Sequence, residues 1–159
     1  MGISYRLKYI AGLVTAGNSV ADIGTDHGYV PVYLVKEGIS PSAIAIDVSG
    51  GSLEKARELI DRTGLSDRIE CRLSDGFEKL KPGEVDCVII SGMGGILMSS
   101  IMESHPDVLC SLEEIILSPH RDADLVRSVL SSHGFSIVAD EMIEDKGKKY
   151  TVLKAVLCS

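Results

Sequence analysis

An α/β domain built on a mostly parallel sheet is the fold class this sequence predicts, and three observations predict it. Strand-like and helix-like segments alternate along the chain. Residues 85–91 (Val-Asp-Cys-Val-Ile-Ile-Ser) are apolar enough for a strand covered on both faces. Residues 20–31 run from an apolar stretch through a glycine-containing loop into a helical segment. An open α/β sheet needs such a loop where a strand's carboxyl end meets a ligand.

The elements follow in order. Residues 5–14 read as a short leading helix, 20–24 as the first strand and 29–37 as the next helix. Gly38 stops that helix and Pro41 follows. Residues 43–48 form the second strand. Ser49 or Ser52 can cap a helix running to about Thr63, and Gly64 ends it. Residues 69–73 are the third strand and 85–91 the fourth, broken by Gly92 to Gly95 before a helix over 96–103. Residues 114–118 are the fifth strand, with a helix over 122–133 stopped by Gly134. Residues 135–143 and 150–157 flank Asp145-Lys146-Gly147-Lys148 and read as a closing β-hairpin. The expectation is one domain over residues 1–159, with no internal repeat, low-complexity tract or linker.

A chain of 159 residues suits one domain, which at this size buries roughly 70% of its unfolded surface. Sixteen Lys+Arg against 23 Asp+Glu give a formal charge of −7. That argues against a surface that coats nucleic acid indiscriminately, while leaving room for a local basic patch. Cys71, Cys87, Cys110 and Cys158 form no C-x-x-C pair, so neither a structural zinc site nor any other metal is expected. Cys71 and Cys87 lie in apolar runs and read as buried thiols, which points to a reducing cytoplasm. No apolar run approaches the ~18 residues of a membrane span, and no membrane partner is expected. Met1-Gly2 opens like a myristoylation signal, but Arg6 stands where that signal needs Ser or Thr.

The first glycine loop is the informative site. It reads Asp22-x-Gly24-x-Asp26-x-Gly28, and a G-x-G-x-x-G dinucleotide fingerprint is absent. Gly24 and Gly28 remove Cβ atoms, so backbone can come close to a cofactor. Asp26 and His27 put acid–base groups inside the same loop. An acid within the first strand, with glycines at alternate positions, resembles the first motif of Rossmann-like methyltransferases, whose ligand is S-adenosylmethionine. That ligand has a cationic amine and a sulfonium and no phosphate, so carboxylates are its logical partners. Asp47 ends the second strand about 20 residues past the glycines, where an acid can accept ribose hydroxyls. Asp75, in Ser74-Asp75-Gly76 after the third strand, can accept a hydrogen bond from an adenine amino group. Each acid alone could equally be a loop or helix cap.

Taken with Ser91-Gly92-Met93-Gly94-Gly95 after the fourth strand, residues 22–31 narrow the match. They resemble the bacterial tRNA (adenine(22)-N1)-methyltransferase family. Ser4-x-Arg6-Leu7 and Lys149-Tyr150-x-Val152-Leu153 extend the resemblance over nearly the whole chain. The resemblance implies a Rossmann-like class I methyltransferase. Its sheet would have seven mostly parallel strands, an antiparallel last strand and helices on both faces. It implies methyl transfer from S-adenosylmethionine to N1 of adenine in tRNA. Asp22, Gly24, Asp47, Asp75, Gly76 and Gly92 would hold the cofactor. Asp26 would face the target base as catalytic carboxylate, with His27 sharing in proton transfer or contacting phosphate. Tyr29, Met93, Gly94, His120 and Arg6 would contact the substrate.

Phosphate contacts need cations, and the candidates are Arg6, Lys8, Arg121, Arg127, Lys146, Lys148 and Lys149. The N-P-P-Y motif of amino-directed adenine methyltransferases is absent, which fits ring-nitrogen attack better than N6 attack. Two departures stand out. The family carries a C-terminal helical, coiled-coil-like domain that lies beyond this sequence. It also has a Pro-Asn pair where this chain has Ser118-Pro119-His120. Oligomeric state is open, with a monomer slightly favoured. Three other readings remain: a methyltransferase with a different acceptor, a nicotinamide-binding oxidoreductase domain, and a non-catalytic module on the same fold.

Overall fold

The computed structural model describes residues 3–158, so the Met1-Gly2 signal lies outside the described residues. Seven strands form one sheet in the order β3-β2-β1-β4-β5-β7-β6. They are β1 (Val20–Ile23), β2 (Ala43–Asp47), β3 (Ile69–Leu73), β4 (Cys87–Met93), β5 (Glu114–Pro119), β6 (Phe135–Asp145) and β7 (Lys148–Leu157). The first five are parallel, and β7 runs antiparallel to both β5 and β6. β6 therefore points the same way as β1 to β5. The helices are α1 (Tyr5–Gly12), α2 (Tyr29–Lys36), α3 (Gly50–Arg62), α4 (Gly95–Ser104), α5 (Pro106–Leu109) and α6 (Ala123–Ser132).

Period-two alternation distributes the sheet residues between two faces. Ala21, Ile23, Val88, Ile90, Ile115 and Leu117 pack with Met98 and Met102 of α4 and with Val126 and Leu130 of α6. Val20, Cys87, Ile89 and Ile116 pack on the other face with Ile10 and Ala11 of α1 and with Val30 and Leu34 of α2. Ala43, Ala45 and Ile69 meet Ala56 and Ile60 of α3. Buried Glu114 has two ties. It accepts the Thr15 N–H at 2.9 Å and hydroxyl at 2.6 Å, and it pairs with Lys154 at 3.4 Å. The segment after α1 is thereby fastened to β5 and β7.

Three expectations need correction. The strand read as 85–91 starts at Cys87 and continues through Gly92 to Met93, with a register shift between Ser91 and Met93. Gly92 has φ +79° and absorbs this bulge, so the strand bends where its sequence suggested a break. The hairpin strands are longer than expected because the turn is only Lys146-Gly147, both at positive φ. Cys71 is half-buried, unlike Cys87, and all four cysteines are free.

Candidate active site

Strand order dictates where a ligand can sit. The chain leaves β1 toward β2 and β3, then returns to β4 on the other side of β1. The loops after β1 and β4 thus diverge and leave a crevice at the strands' carboxyl ends. A cleft of about 240 Å³ opens there. Asp22, Gly24, Thr25 and Asp26 line it from β1 and its loop, Ser91 and Gly92 from β4. Arg6 and Leu7 of α1 and Tyr29 of α2 close its side. A hollow of about 280 Å³ between α2 and α3, lined by Tyr33, Lys36 and Arg62 among others, lies off the strand ends.

Asp22 is the third residue of β1 and only 3% exposed. Burial pushes its carboxyl up to about 7; the Thr25 hydroxyl pulls it down and the charge of Asp47 pushes it up. The loop beyond is pinned from outside. Gly24 and Thr25 both donate N–H to the Ile46 carbonyl of β2 at 2.9 Å. The Asp26 N–H donates to Oδ2 of Asp47 at 2.9 Å, and the Ser49 N–H donates to Oδ1 at 2.9 Å. One carboxylate therefore braces the β1 loop against the start of α3. Each of its oxygens keeps a lone pair for a ligand. This brace holds Asp26 at φ +57°, a left-handed conformation costly for a residue with a Cβ. The Asp26 side chain is 72% exposed at the cleft.

The other acids and glycines divide. Asp75 is exposed and outside the cleft lining, although Ser74 links it to the site by donating N–H to the Asp47 carbonyl at 3.0 Å. Gly24 lines the cleft, and the methyl of Met93 reaches it: a Cβ there would lie 2.8 Å from Met93 Cε. Gly28 was expected to admit a cofactor, but its space belongs to α3, where a Cβ would meet that of Ala56 at 3.0 Å. Gly76 likewise backs onto Ile101 of α4, 3.1 Å from where a Cβ would stand. Both glycines serve packing between elements.

Substrate-side expectations divide too. His27 is outside the cleft and lines a hollow with Lys55 and Glu58 of α3. Its Nε2 is 3.6 Å from Asp26 Oδ1, too long for a hydrogen bond, and its ring meets Tyr29 edge-on at 6.0 Å. His120 donates its N–H to the Met93 carbonyl at 2.8 Å, extending the β4–β5 ladder, while its side chain is exposed and does not line the cleft. Gly94 carries the Arg121 side chain against it, 3.5 Å from where a Cβ would stand. Arg127 is not free for phosphate: it forks onto Asp140 at 2.8 and 2.9 Å and bonds Asp124 at 2.7 Å. Arg6, also expected to meet phosphate, lies in the cleft wall.

Two features escaped the sequence reading. Gly95 donates N–H to the Arg121 carbonyl at 2.8 Å, and a Cβ on it would come within 2.3 Å of the Asp122 carbonyl oxygen. Asp122, like Asp26, is a left-handed aspartate, at φ +58°. A G-G pair at a helix start was the available signal for the first; nothing local marked the second.

The comparisons with known proteins agree with this geometry. A family model described as a methyltransferase domain matches residues 3–153. The tRNA (adenine(22)-N(1))-methyltransferase of Bacillus subtilis is 36% identical over 153 residues, which is 96% of this chain and 64% of that protein. The crystal structure of the B. subtilis m1A22 tRNA methyltransferase TrmK superposes with a TM-score of 0.95 at 35% identity, covering 99% of this chain and 68% of that one. This chain belongs to the tRNA (adenine(22)-N1)-methyltransferase family. It spans 64% of the length of that curated B. subtilis relative. Another solved structure, M. capricolum TrmK in complex with the cofactor product S-adenosyl-homocysteine, superposes with a TM-score of 0.86 at 27% identity. It covers 97% of this chain and 68% of its own. The seven-stranded, Rossmann-like architecture expected from sequence is the one observed. Among the described residues no group of three or more His, Cys, Asp or Glu could hold a metal ion, and no helix is long and apolar enough to cross a membrane.

Proposed function

We propose that this chain is the methyl-transferring domain of a tRNA (adenine-N1)-methyltransferase, using S-adenosylmethionine and acting at position 22. The observation that carries the reading is the carboxylate arrangement at the switch point. Asp22 is buried at the bottom of the cleft, and Asp47 stands at the next strand's end. A dinucleotide would instead want a helix N-terminus free of acids at its pyrophosphate. Family membership supports the same ligand, since M. capricolum TrmK is in complex with S-adenosyl-homocysteine.

The donor set fits the cofactor. Asp22 offers a carboxylate to the ammonium, Asp47 has lone pairs left for ribose hydroxyls, and Gly24 and Gly92 bring bare backbone to the cleft. Asp75, one strand further out at the same sheet edge, would accept from the adenine amino group. S-Adenosylmethionine supplies an electrophilic methyl on a sulfonium when bound. Adenine N1 attacks with an in-plane lone pair, so the protein's task is mainly positioning. N1 is hidden by pairing in a helix, so the base must be flipped or presented unpaired. Attack leaves positive charge on the ring. Asp26, held at the cleft mouth by its N–H to Asp47, stabilises that charge and can take a proton from N6. Tyr29 lines the same opening from α2, and the Met93 methyl of β4 lies against Gly24 in its wall.

The reading is tested by calorimetric titration with S-adenosylhomocysteine, with NAD as control, followed by mass spectrometry of tRNA for N1-methyladenosine. The expected result is one-to-one binding abolished by Asp47→Ala, with no NAD binding. Asp26→Asn should keep S-adenosylhomocysteine affinity within about twofold and cut turnover by about 100-fold or more. Well-folded protein that ignores S-adenosylhomocysteine would overturn the assignment. Near-normal turnover in Asp26→Asn would remove the role given to that carboxylate.

A further inference from the structure

α4 buries Gly95, Met98, Ser99, Ile101 and Met102, the spacing of one helix face. Ile96 and Leu97 lie off that face and are 68% and 52% exposed. Packing therefore does not account for two large apolar side chains in the first turn. Leu125, in the first turn of α6, is 42% exposed as well. The place is the reaction edge. Ser91 and Gly92 line the cleft, and Met93 sets its methyl against Gly24, so one short turn leads from the cleft wall to Ile96. That turn is stiff. The His120 N–H donates to the Met93 carbonyl at 2.8 Å, and the Gly95 N–H to the Arg121 carbonyl at 2.8 Å. Asp122 is held against Gly95 at φ +58°, and such strain persists only where the surroundings over-determine it. Arg121 lays its stem along Gly94, with Cγ and Nε 3.5 and 3.6 Å from where a Cβ would stand. No ion pair engages Arg121 among the described residues, and the first turn of α4 holds no acid. Asp124 is taken by Arg127, which leaves Asp122 as the one carboxylate beside Arg121 in sequence.

We infer that Ile96, with Leu97 beside it, is the wedge that fills the base stack when the target adenine leaves it. The inference rests on the reading above and deepens it, by naming the group that opens the paired RNA. Extruding a base forfeits its stacking and its pairing. An apolar side chain set between the neighbouring bases recovers part of that contact, as apolar wedges do where proteins unstack a duplex. Such a wedge has to be large, apolar and exposed. It also needs a rigid backing and a place beside the pocket that receives the base. Ile96 meets each condition, and its β-branch stiffens the side chain at χ1. The occupant's chemistry follows from the neighbourhood. Arg121, lying on Gly94 at the root of the same turn, presents a cation that suits a phosphodiester. A purely apolar protein partner would cover that guanidinium without pairing it. Ile96 and Asp26 then act on one nucleotide: Ile96 holds the vacated place in the stack, and Asp26 meets the displaced ring.

The test compares two forms of one tRNA transcript in single-turnover methylation by this chain. In one the target adenine is paired; in the other the nucleotide opposite it is abasic, so extrusion breaks no pair. Ile96→Ala should slow the paired substrate about 10- to 100-fold and the other by no more than about twofold. Ile96→Leu, which keeps the apolar bulk, should stay near the unaltered rate on both. A second readout is independent of turnover. With S-adenosylhomocysteine present, 2-aminopurine at the target position should brighten on binding to the unaltered chain and stay dim with Ile96→Ala, at tRNA affinity within about twofold. The side chain is exposed, so thermal midpoints of the variants should match the unaltered chain. Equal slowing of both substrates would mark Ile96 as a docking or folding residue and overturn the inference. So would an unchanged rate on the paired substrate. Self-association of the unaltered chain in sedimentation, abolished by Ile96→Ala, would assign the patch to a second copy instead. Methylation of the abasic-opposed tRNA alone by the unaltered chain would show that no wedge acts, and would leave the methyltransferase reading standing. Methylation of neither would remove that reading, and the wedge with it.

Discussion

Asp22 carries an electrostatic cost whenever its carboxyl is ionised. Its carboxyl is buried beside the carboxylate of Asp47, and burial raises it to about 7. In the unfolded chain the same group titrates near 4. Between those two values the folded chain holds a proton that the unfolded chain has lost. Stability from this residue therefore falls as pH rises from about 4 to 7, and levels off above. Asp22→Asn removes the titration. Thermal unfolding should show the variant near the unaltered chain at pH 4 and increasingly favoured toward pH 7. On the cofactor role proposed for Asp22, binding has the opposite slope, because an ammonium would pair with the ionised carboxylate. Affinity of the unaltered chain should rise from pH 6 to 8, whereas Asp22→Asn should bind weakly with little pH dependence. Parallel stability profiles for the two proteins would contradict the burial-raised carboxyl.

Glycines at the ends of elements decide how closely those elements meet, and here they separate by what occupies the missing Cβ. Gly95 opens α4 directly beneath the loop between β5 and α6. A methyl there would overlap the carbonyl oxygens of Arg121 and Asp122, both backbone atoms that cannot swing away. Gly95→Ala must therefore push α4 from that loop and break the 2.8 Å bond to the Arg121 carbonyl. The expected loss is about 3 kcal/mol or more, read as a lower denaturation midpoint with unchanged slope. Gly92→Ala meets no atom within 4 Å and carries only the strain of φ +79°, so it should cost less, about 1–2 kcal/mol. Equal losses would refute the contact argument. The same distinction explains what the sequence could disclose. β3 and the starts of β1, α2 and β2 were legible because apolar runs end at glycine, serine or aspartate. The strand-end positions of Asp22, Asp47 and Asp75 were legible because strand ends are. The purpose of Gly28 and Gly76 was not, since Ala56 and Ile101 arrive from elements more than twenty residues away. Nor was the side on which His27 falls, because one loop's twist sets it. Gly92 read as a break because a bulge and a stop share the same residue. α5, at four residues, is too short for any period to register.

Charge has to be weighed over the whole molecule. At −7 the chain repels RNA on average, so any attraction must be local. Topology supplies the place. Because β6 runs parallel to β1 through β5, its end at Asp145 lies on the same sheet edge as the cleft. The two-residue turn then projects Lys146, followed by Lys148 and Lys149, all exposed and without an ion pair among the described residues. Arg121, after β5, is exposed on that edge too. Arg127 is locked onto Asp124 and Asp140 and has no charge to spare. If tRNA is gripped at this edge, its affinity for the chain should fall steeply with salt, through release of counterions. Replacing Lys146, Lys148 and Lys149 together with Gln should reduce the log–log salt slope by about 2 to 3, near one per lysine. Arg127→Gln should leave that slope unchanged. Filter binding over a salt series measures both. A triple variant with the original slope would place the RNA elsewhere on the molecule, and an Arg127 effect as large as the lysines' would show that pairing does not withdraw a cation from RNA binding here.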